Sequence, residues 1–589
     1  MSIVARIADP PVVVLQVDGR WLGFVEPVGE LVAWRPDEVW GVLQAVETAV
    51  SRHALYAAGF LTYEAALAFG LPTHSPPAGE LPLLWFGLFR QPVVWLELPQ
   101  VAGKFELGEW QTAVSRQQYI QAIRQIKAHI AAGHTYQVNY TFPLQASFAG
   151  DTWTLFHQLT RAQQAAYMAY VDLGEWAVCS ASPELFFRQN GRFLTARPMK
   201  GTAPRGRTLA EDQQNIAWLR QSEKNQAENV MIVDMIRNDL GQIARTGSVQ
   251  VPSLFDVERY PTVLQMTSTV TAESDVGFAS IMRAMFPCAS ITGAPKRRTM
   301  QIIQALESGP RGIYTGTIGY LAPDGKARFN VAIRTVTVNQ QTGRAVYHVG
   351  SGIVWDSDAE AEYEECRLKA AVLVQERPFF QLLESILWTP TKGYFLLAEH
   401  LHRLAGSAEY FGFRVDVEQL SRELHQFART LSTKSKVRLL VTADGQTTLE
   451  ASPLPVSQSQ PIQVGLATQP VDSTNIWLYH KTTHRKVYEQ ARAACPECDD
   501  VILWNERGEI TEATTANVVV RLNGELVTPP VLCGLLAGSY RAHLLANGRI
   551  REQVIPWQQL PNAEELWLIN SVRGWRRAVL HTKPQPQPA

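Results

Sequence analysis

Carboxylates spaced along two helical patterns offer the most explicit chemistry in this sequence. The run AENVMIVDMIRNDLG is apolar at most positions, so its helix should be buried over much of its surface, with Glu228 opening it. A carboxylate there also suits a helix N-terminus, so a capping role reads as well as a ligand role. In AEAEYEECRLKAAVLV, Glu362 and Glu365 lie three apart and Lys369 four further on, which puts all three on one face. A solvated, salt-bridged face would look the same. If the two helices meet, their carboxylates make an oxygen-ligand site for Mg²⁺, a cation that keeps waters and binds the anionic group of its substrate.

Three further stretches carry anion-binding parts. VGSGIVWDSD sets Gly350 and Gly352 on either side of Ser351, where bare backbone N–H groups can approach a carboxylate closely. FNVAIRTV places Arg334 on an expected strand among apolar neighbours, where its guanidinium wants a bidentate acid partner. SITGAPKRRTM carries a Gly-Ala-Pro-Lys turn into a helix, with Lys296 at its start. Together with the acidic helices these describe a pocket for a small dicarboxylate beside a divalent cation. Lys200 in RPMKGTAPRG raises a separate question. Its flexible ammonium stands where glycine, proline and threonine mark a turn leaving the strand-like run GRFLTA, and a surface lysine is the ordinary reading.

The elements that must position these groups fall into two parts. At 589 residues the chain exceeds the size at which one core stops growing. EYEECRLKAAVLVQ reads as a helix stopped by Pro378, and FFQLLESILW begins a new strand pattern, so the expected domains are 1–377 and 378–580, with a proline-rich disordered tail at 581–589. In the first part VVVLQV, LLWFGLF, AVYHVGSGIVW and FNVAIRTVTV read as strands. YIQAIRQIKAHIAAG and NQAENVMIVDMIRNDLG read as helices closed by glycine. Without regular βαβ alternation the expected class is α+β.

Net charge is −1, with 46% apolar and 19% charged residues, so no global field favours nucleic acid or an anionic membrane. No apolar run is long enough to span a bilayer, and MSIVARIADPPVVVLQVDG lacks the pattern of a cleaved leader, so a cytoplasmic location is expected. Of six cysteines only Cys495 and Cys498, in CPEC, are close; without a second pair they read as reduced, incidental thiols rather than a zinc or redox site.

SASPELFF, ARPMKGTAPRG, AENVMIVDMIRNDLG, ITGAPKRRTMQIIQALE, RGIYTGTIGY, FNVAIRT and GSGIVWDSDAEAEYEEC occur in the order seen in the chorismate-utilising enzymes. Residues 110–375 resemble that family, which includes anthranilate, isochorismate, salicylate and aminodeoxychorismate synthases. The resemblance implies that Glu228 and Glu365 hold Mg²⁺, with Glu362 nearby. It implies that Tyr314, Arg334, the Gly350–Ser351–Gly352 backbone, Lys369, Thr292 and Gly293 bind substrate. Asn225 stands where some members carry another acid. Glu184 in SPELF matches the family's general acid and base, although a cap or turn carboxylate after Pro183 is the plain alternative. Lys200 stands where anthranilate-forming members have alanine and aminodeoxychorismate synthases have lysine. That implies a neutral amine, freed of its proton by desolvation, adding to the chorismate ring before ammonia displaces it. Gln265 replaces a histidine linked to pyruvate loss, which fits a first domain that leaves pyruvate attached.

In the second part EHLHRLAGSAEYFGF, IWLYHKTTHRKVYEQARA, DDVILWNERGEITEATTANVVV and TPPVLCGLLAGSYRAHLL follow the order of class IV pyridoxal-phosphate enzymes. These include aminodeoxychorismate lyase and the branched-chain and D-amino-acid transaminases, and imply a two-subdomain α+β fold over residues 380–575. By this resemblance Lys481, a strand-borne amine in an apolar setting, carries the cofactor. Glu512 pairs with its pyridinium nitrogen, and Arg403, Ser539 and Ser571 hold its phosphate. In sequence terms Lys481 is also one of three basic residues in a polar loop, with Arg485 and Lys486, and Arg403 would ordinarily be a solvated helix residue.

The two resemblances complete each other as a fused route from chorismate and ammonia to 4-aminobenzoate, a folate precursor. Nothing resembles a glutamine amidotransferase, so ammonia is expected from a separate glutaminase subunit or free ammonium, and a homodimer through the second domain is possible for the class. In GHTYQVNYT, Tyr136 to Tyr140 resembles the family stretch near the ammonia entry. An anthranilate-forming first half, a transaminase second half, or a scaffold that activates a glutaminase are the alternatives.

Overall fold

The structure is a computed structural model that describes residues 9–77, 79–100, 103–373, 378–454 and 460–581. The tail expected to be disordered lies outside these residues apart from His581. Two compact units are present: Met1–Pro204 with Ile216–Arg377, and Arg205–Asn215 with Pro378–Ala589. The stretch Arg205–Asn215, which the sequence places inside the first domain, packs as part of the second unit.

The first unit contains an eleven-stranded and a ten-stranded sheet among the described residues, both antiparallel. The strand Val12–Val17 shows how they layer. Val12 and Val14 join the core under the helices Arg116–Ala131, Lys296–Leu306 and Ala359–Leu373. Val13 and Leu15 point the other way, against Phe60 and Trp85 of the second sheet. The helices Pro36–His53 and Glu223–Gly241 cover the far face of that sheet through Val39, Leu43, Ile232 and Val233. The order is helix, sheet, sheet, helix. A strand buried on both faces reads as a continuous apolar run, which is why VVVLQV does not alternate.

Two expected elements differ. Phe329 and Asn330 close the strand Lys326–Asn330 of the ten-stranded sheet, whereas Thr335 opens Thr335–Asn339 of the eleven-stranded one. FNVAIRTV is therefore two strands joined by a crossover, and Arg334 lies in that crossover at φ +52°. Its apolar residues are buried between layers, so a crossover and a strand carry the same hydrophobic signal. RPMKGTAP is the second case: Arg197 closes the strand Phe193–Arg197, and Met199–Pro204 is a further strand paired with Val263–Glu273, not a turn. Of the two expected glycine closures, Gly133 takes φ +72° just past Arg116–Ala131, while Gly241 is the last residue of its own helix.

Among the described residues of the second unit a four-stranded antiparallel sheet, with Leu382–Thr389 beside Ser435–Val441, packs on the helices Leu397–Phe411 and Val417–Ala428. An eight-stranded mixed sheet follows, in which Ile462–Leu466 runs parallel to Asp500–Trp504 and to Gly574–Leu580.

Candidate active sites

Lys200 owes its position to a bulge. Met199 faces Thr267 and Thr202 faces Gln265, three steps on one strand against two on the other. An inserted residue re-aims one side chain while the ladder continues on either side. Gly201 absorbs the bend at φ +95°, with Asn225 Cβ 3.1 Å from where its own Cβ would be. Gln265 Nε2 donates to Gly201 O at 2.8 Å, and Asn229 Nδ2 donates to Lys200 O at 3.3 Å. Asn225 donates to Ser222 Oγ at 2.8 Å within the cap of its own helix. The lysine leaves the bulge half-buried, and its Nζ lies 2.8 Å from where a Cβ on Gly352 would sit. Burial pulls its amine below the usual lysine value, opposed by Glu228 and Glu184 and assisted by Lys369.

The strand Arg344–Ile353 pairs along its whole length with Gln137–Gly150, but with Thr335–Asn339 only as far as Tyr347. Opposite Gly350, Thr141 N donates to Glu307 Oε1; opposite Gly352, Asn139 N donates to Thr292 O. The facing amides bond elsewhere, so the N–H and C=O groups of both glycines point away from that ladder. Lys369 Nζ reaches Gly350 O there at 2.9 Å, and it also pairs with Glu365 at 2.7 Å. The Ser351 hydroxyl turns inward to Tyr119 OH at 3.1 Å, and its backbone faces Tyr140 as the hydrogen-bonded pair between the two glycine positions, so the outward groups of this stretch are those of Gly350 and Gly352.

Glu184, 3% exposed, has one carboxylate oxygen buried with no hydrogen-bond partner among the described residues. Burial pushes its carboxyl up to about 7, against the pull of Ser290 and Lys200. Tyr314 is buried and stacks on His348 at 5.3 Å. The Arg334 guanidinium donates to the Gln163 amide oxygen. It does so from the left-handed crossover rather than from the expected strand. Thr292 supplies its carbonyl to Asn139, and its hydroxyl donates within its own turn. Gly293 has no room for a side chain, since a Cβ would lie 2.0 Å from Gln137 O. Lys296 is bound to Asp239 at 2.6 Å and Met285 O at 3.1 Å, which removes it from the anion-binding set.

Glu228 does not open its helix. The helix starts at Glu223 under a Ser222 cap, which leaves Glu228 in the second turn and ends the capping alternative. Burial raises its carboxyl; Lys200 and Lys224 lower it, while Glu362 and Glu365 raise it further. Like charges on the two helices thus share one electrostatic site. Glu362 accepts from Ser357 Oγ at 2.8 Å. Among the described residues no three His, Cys, Asp or Glu side chains close on one point. A cation here would be held by one or two carboxylates, water and a ligand anion, which suits Mg²⁺.

Two residues at this site escape the sequence reading. Gln137, fully buried, has neither amide atom partnered among the described residues, and its Nε2 lies 2.6 Å from the same Gly352 Cβ position as Lys200 Nζ. A lone glutamine in YQVNY was its only signal. Arg311 is buried under Tyr63, pairs with Glu307 at 2.7 Å, and donates to Asn139 O at 2.7 Å and Ile291 O at 3.0 Å. It braces the backbone that faces Gly352. Arg311→Met should destabilise the first unit by about 3–5 kcal/mol in urea unfolding, because it strands the buried Glu307 charge. A change below about 1 kcal/mol would contradict this bracing role.

In the second unit Lys481 is not on a strand. It lies in a loop, where its carbonyl accepts from Leu383 N at 2.9 Å and Thr482 makes an isolated bridge to Leu382. The polar, basic run HKTTHR disfavours a long strand, and the sheet edge supplies the anchorage instead. Burial lowers its amine to about 8; Arg403 and Arg485 assist, and Glu384 and Glu512 oppose. Glu512 is buried, accepts from Tyr488 OH at 2.7 Å and Leu536 N at 3.1 Å, and is pushed up to about 7 mainly by burial. Arg403 is largely buried and forks onto Glu384 at 2.9 and 2.6 Å, with Nη1 to Ala537 O at 3.1 Å, rather than pointing to solvent. His400, unread in the sequence, joins the set: its ring meets Glu384 at 2.7 Å, Ser571 Oγ at 2.9 Å and Ser539 Oγ at 3.4 Å. Burial would raise Glu384, but Arg403 and His400 outweigh it and hold that carboxylate at about 2. Ser539 is also the first residue of the helix Ser539–Ala546, whose free N–H groups favour an anion. A buried acid, a lysine of lowered basicity and an arginine–serine cluster fit pyridoxal phosphate.

Cys495 and Cys498 are joined in a disulfide, contrary to the reduced thiols expected. The turn after the helix Lys486–Ala493, closed by Cys498 N donating to Cys495 O at 3.2 Å, brings their Cα atoms to 5.6 Å.

Two stretches of the chain match known families. The chain belongs to the chorismate binding enzymes through residues 96–375, and residues 381–580 match the amino-transferase class IV family. Residues of the first part are 44% identical over 258 residues to aminodeoxychorismate synthase component 1 of Salmonella typhimurium, covering 44% of this chain and 56% of the relative. They are 33% identical over 342 residues to anthranilate synthase component 1 of Methanothermobacter thermautotrophicus, covering 54% of this chain and 73% of the relative. The solved structure of anthranilate synthase component I from Streptococcus pneumoniae shares the fold at TM-score 0.53 and 22% identity, over 64% of this chain and 94% of that one. The chain thus spans little more than half the length of the Salmonella relative. Among the described residues no helix is long and apolar enough to cross a membrane.

Proposed function

We propose that the chain carries out two consecutive conversions: chorismate and ammonia to 4-amino-4-deoxychorismate and water, then that product to 4-aminobenzoate and pyruvate. The observation that carries the reading is the meeting of Lys200 Nζ with Gly352, beside outward backbone groups of Gly350 and Gly352 and in the field of buried Glu184. The backbone N–H groups, Tyr314 and Arg334 orient the substrate carboxylates, with Lys369, Thr292 and Gly293 shaping the same wall. Glu228, Glu365 and Glu362 would hold Mg²⁺, which neutralises the ring carboxylate. The neutral Lys200 amine forms a bond to ring C2, the double bonds shift, and the C4–O bond breaks as Glu184 protonates the leaving hydroxyl. Ammonia then bonds to C4, the double bonds shift back, and Lys200 is expelled. A separate glutamine amidotransferase subunit supplies the ammonia.

In the second unit Lys481 would carry pyridoxal phosphate, Glu512 would meet its ring nitrogen, and Arg403, Ser539 and Ser571 would hold its phosphate. The cofactor supplies an electron sink. Lys481 takes the proton from C4, the C3–O bond to the enolpyruvyl group breaks, and the ring becomes aromatic. Chromatography of products from chorismate, Mg²⁺ and ammonium tests the whole reading. Aminodeoxychorismate without added cofactor and 4-aminobenzoate with it are expected; anthranilate would overturn it.

The pH profile follows from two groups. The first conversion needs Lys200 without its proton and Glu184 with its own, so kcat/KM rises as the amine deprotonates and falls as pH passes about 7 at Glu184. The two interact, so the limbs belong to the pair. Glu184→Gln should lower the rate by about 10²–10⁴-fold and remove the alkaline limb. A retained alkaline limb would assign that limb to another group.

A further inference from the structure

We propose that Arg205–Arg207, a turn encoded in the first half of the chain, is a positioning element of the second unit that holds Tyr479 and His480 and, through them, Lys481. The turn is braced by its own side chains. Arg205 Nε meets both Asp212 carboxylate oxygens at 3.0 and 2.9 Å, Gly206 N donates to Asp212 Oδ1 at 2.7 Å, and Arg207 forks onto Glu211. Gly206 cannot carry a side chain, because a Cβ would lie 2.3 Å from Asp212 N. Held this way, the turn presents two carbonyls and a guanidinium. Gly206 O accepts from Tyr410 OH at 2.7 Å, Arg207 O accepts from His480 Nε2 at 3.1 Å, and Arg207 Nη1 donates to Tyr479 OH at 3.1 Å.

The hydrogen bonds define the His480 tautomer. A carbonyl cannot donate, so Nε2 carries the proton and Nδ1 accepts from Ser407 Oγ at 2.9 Å. Burial keeps this ring neutral, at about 4. Ser407 lies one turn beyond Arg403 on the helix Leu397–Phe411. The His480 ring is therefore clamped between the helix Leu397–Phe411 and the 205–207 turn, with the Tyr410 ring tilted against it at 4.3 Å. Lys481 follows directly, its carbonyl held by Leu383 N. His480 is thus fixed on one side of Lys481 and the Lys481 carbonyl is held by Leu383 on the other, which anchors the backbone that carries the amine. Arg403, Arg485, Glu384 and Glu512 are the charged groups that face it.

The inference rests on Lys481 being the cofactor lysine, and its test separates the two claims. The full-length apo chain and its His480→Phe, His480→Gln and Gly206→Ala variants are treated with pyridoxal phosphate and borohydride across pH 6 to 10. The rate of label on the Lys481 peptide is then read by mass spectrometry, with urea unfolding as the fold control. Wild-type chain should label at Lys481 with a midpoint near 8. His480→Phe and Gly206→Ala should raise the midpoint by about one pH unit, a tenfold slower reaction at neutral pH. His480→Gln, which keeps an N–H for Arg207 O, should recover most of that loss. Unchanged profiles in the folded His480→Phe and Gly206→Ala chains overturn the positioning role, as does a Gln variant no better than Phe. Wild-type label found elsewhere than Lys481 removes the cofactor assignment itself.

Discussion

Lys200→Ala abolishes the first conversion, with a fall of about 10³-fold or more in kcat, while lyase turnover of supplied aminodeoxychorismate is retained. The size follows from the role, since removing a covalent nucleophile forfeits the split of one hard displacement into two easier ones. The bulge at Met199–Thr202 and the bare Cα of Gly352 exist to bring this amine to one point, and alanine leaves both in place. Lys200→Arg separates nucleophilicity from charge. A guanidinium stays protonated, so it keeps the attraction for carboxylates yet cannot attack, and the same loss is expected. Chorismate consumption followed by chromatography, with ammonium as nitrogen source, measures both variants. A near-normal rate in Lys200→Arg would mean the residue acts by charge alone.

Lys481→Ala has the complementary effect. Aminodeoxychorismate accumulates, 4-aminobenzoate formation falls by about 10³-fold or more, and the first conversion continues. Burial lowers this amine to about 8, so a useful fraction is unprotonated near neutral pH, as a base that removes the C4 proton requires. The variant should also fail to retain pyridoxal phosphate after borohydride treatment. Glu512→Gln is milder in binding but severe in rate, because the amide loses the negative charge that keeps a pyridinium protonated. Rapid 4-aminobenzoate formation by Lys481→Ala would exclude this lysine from the second conversion.

Much of both sites was legible because their residues sit in long, ordered motifs. Glu184, Lys200, Glu228, Glu362, Glu365 and the Gly350–Gly352 stretch were read as chemistry, and the structure places each in one electrostatic neighbourhood of the first unit. What failed was local geometry decided by tertiary contacts. A bulge and a turn share the same glycine, so Lys200 read as a turn residue. A buried crossover and a buried strand share the same apolar residues, so Arg334 read as a strand residue. Gln137, Arg311 and His400 act through burial, which no short-range pattern reports. The Arg205–Asn215 stretch lies about 170 residues before the unit it joins, and only contacts reveal such a return.

Mass spectrometry of the acid-quenched chain after mixing with chorismate and Mg²⁺, with ammonia excluded, tests the covalent step most directly. The account predicts a fraction of chain heavier by chorismate less one water, with the added mass on the peptide containing Lys200 and absent from Lys200→Ala. A chain that turns over normally once ammonia is added, yet never carries that mass on Lys200, would contradict it.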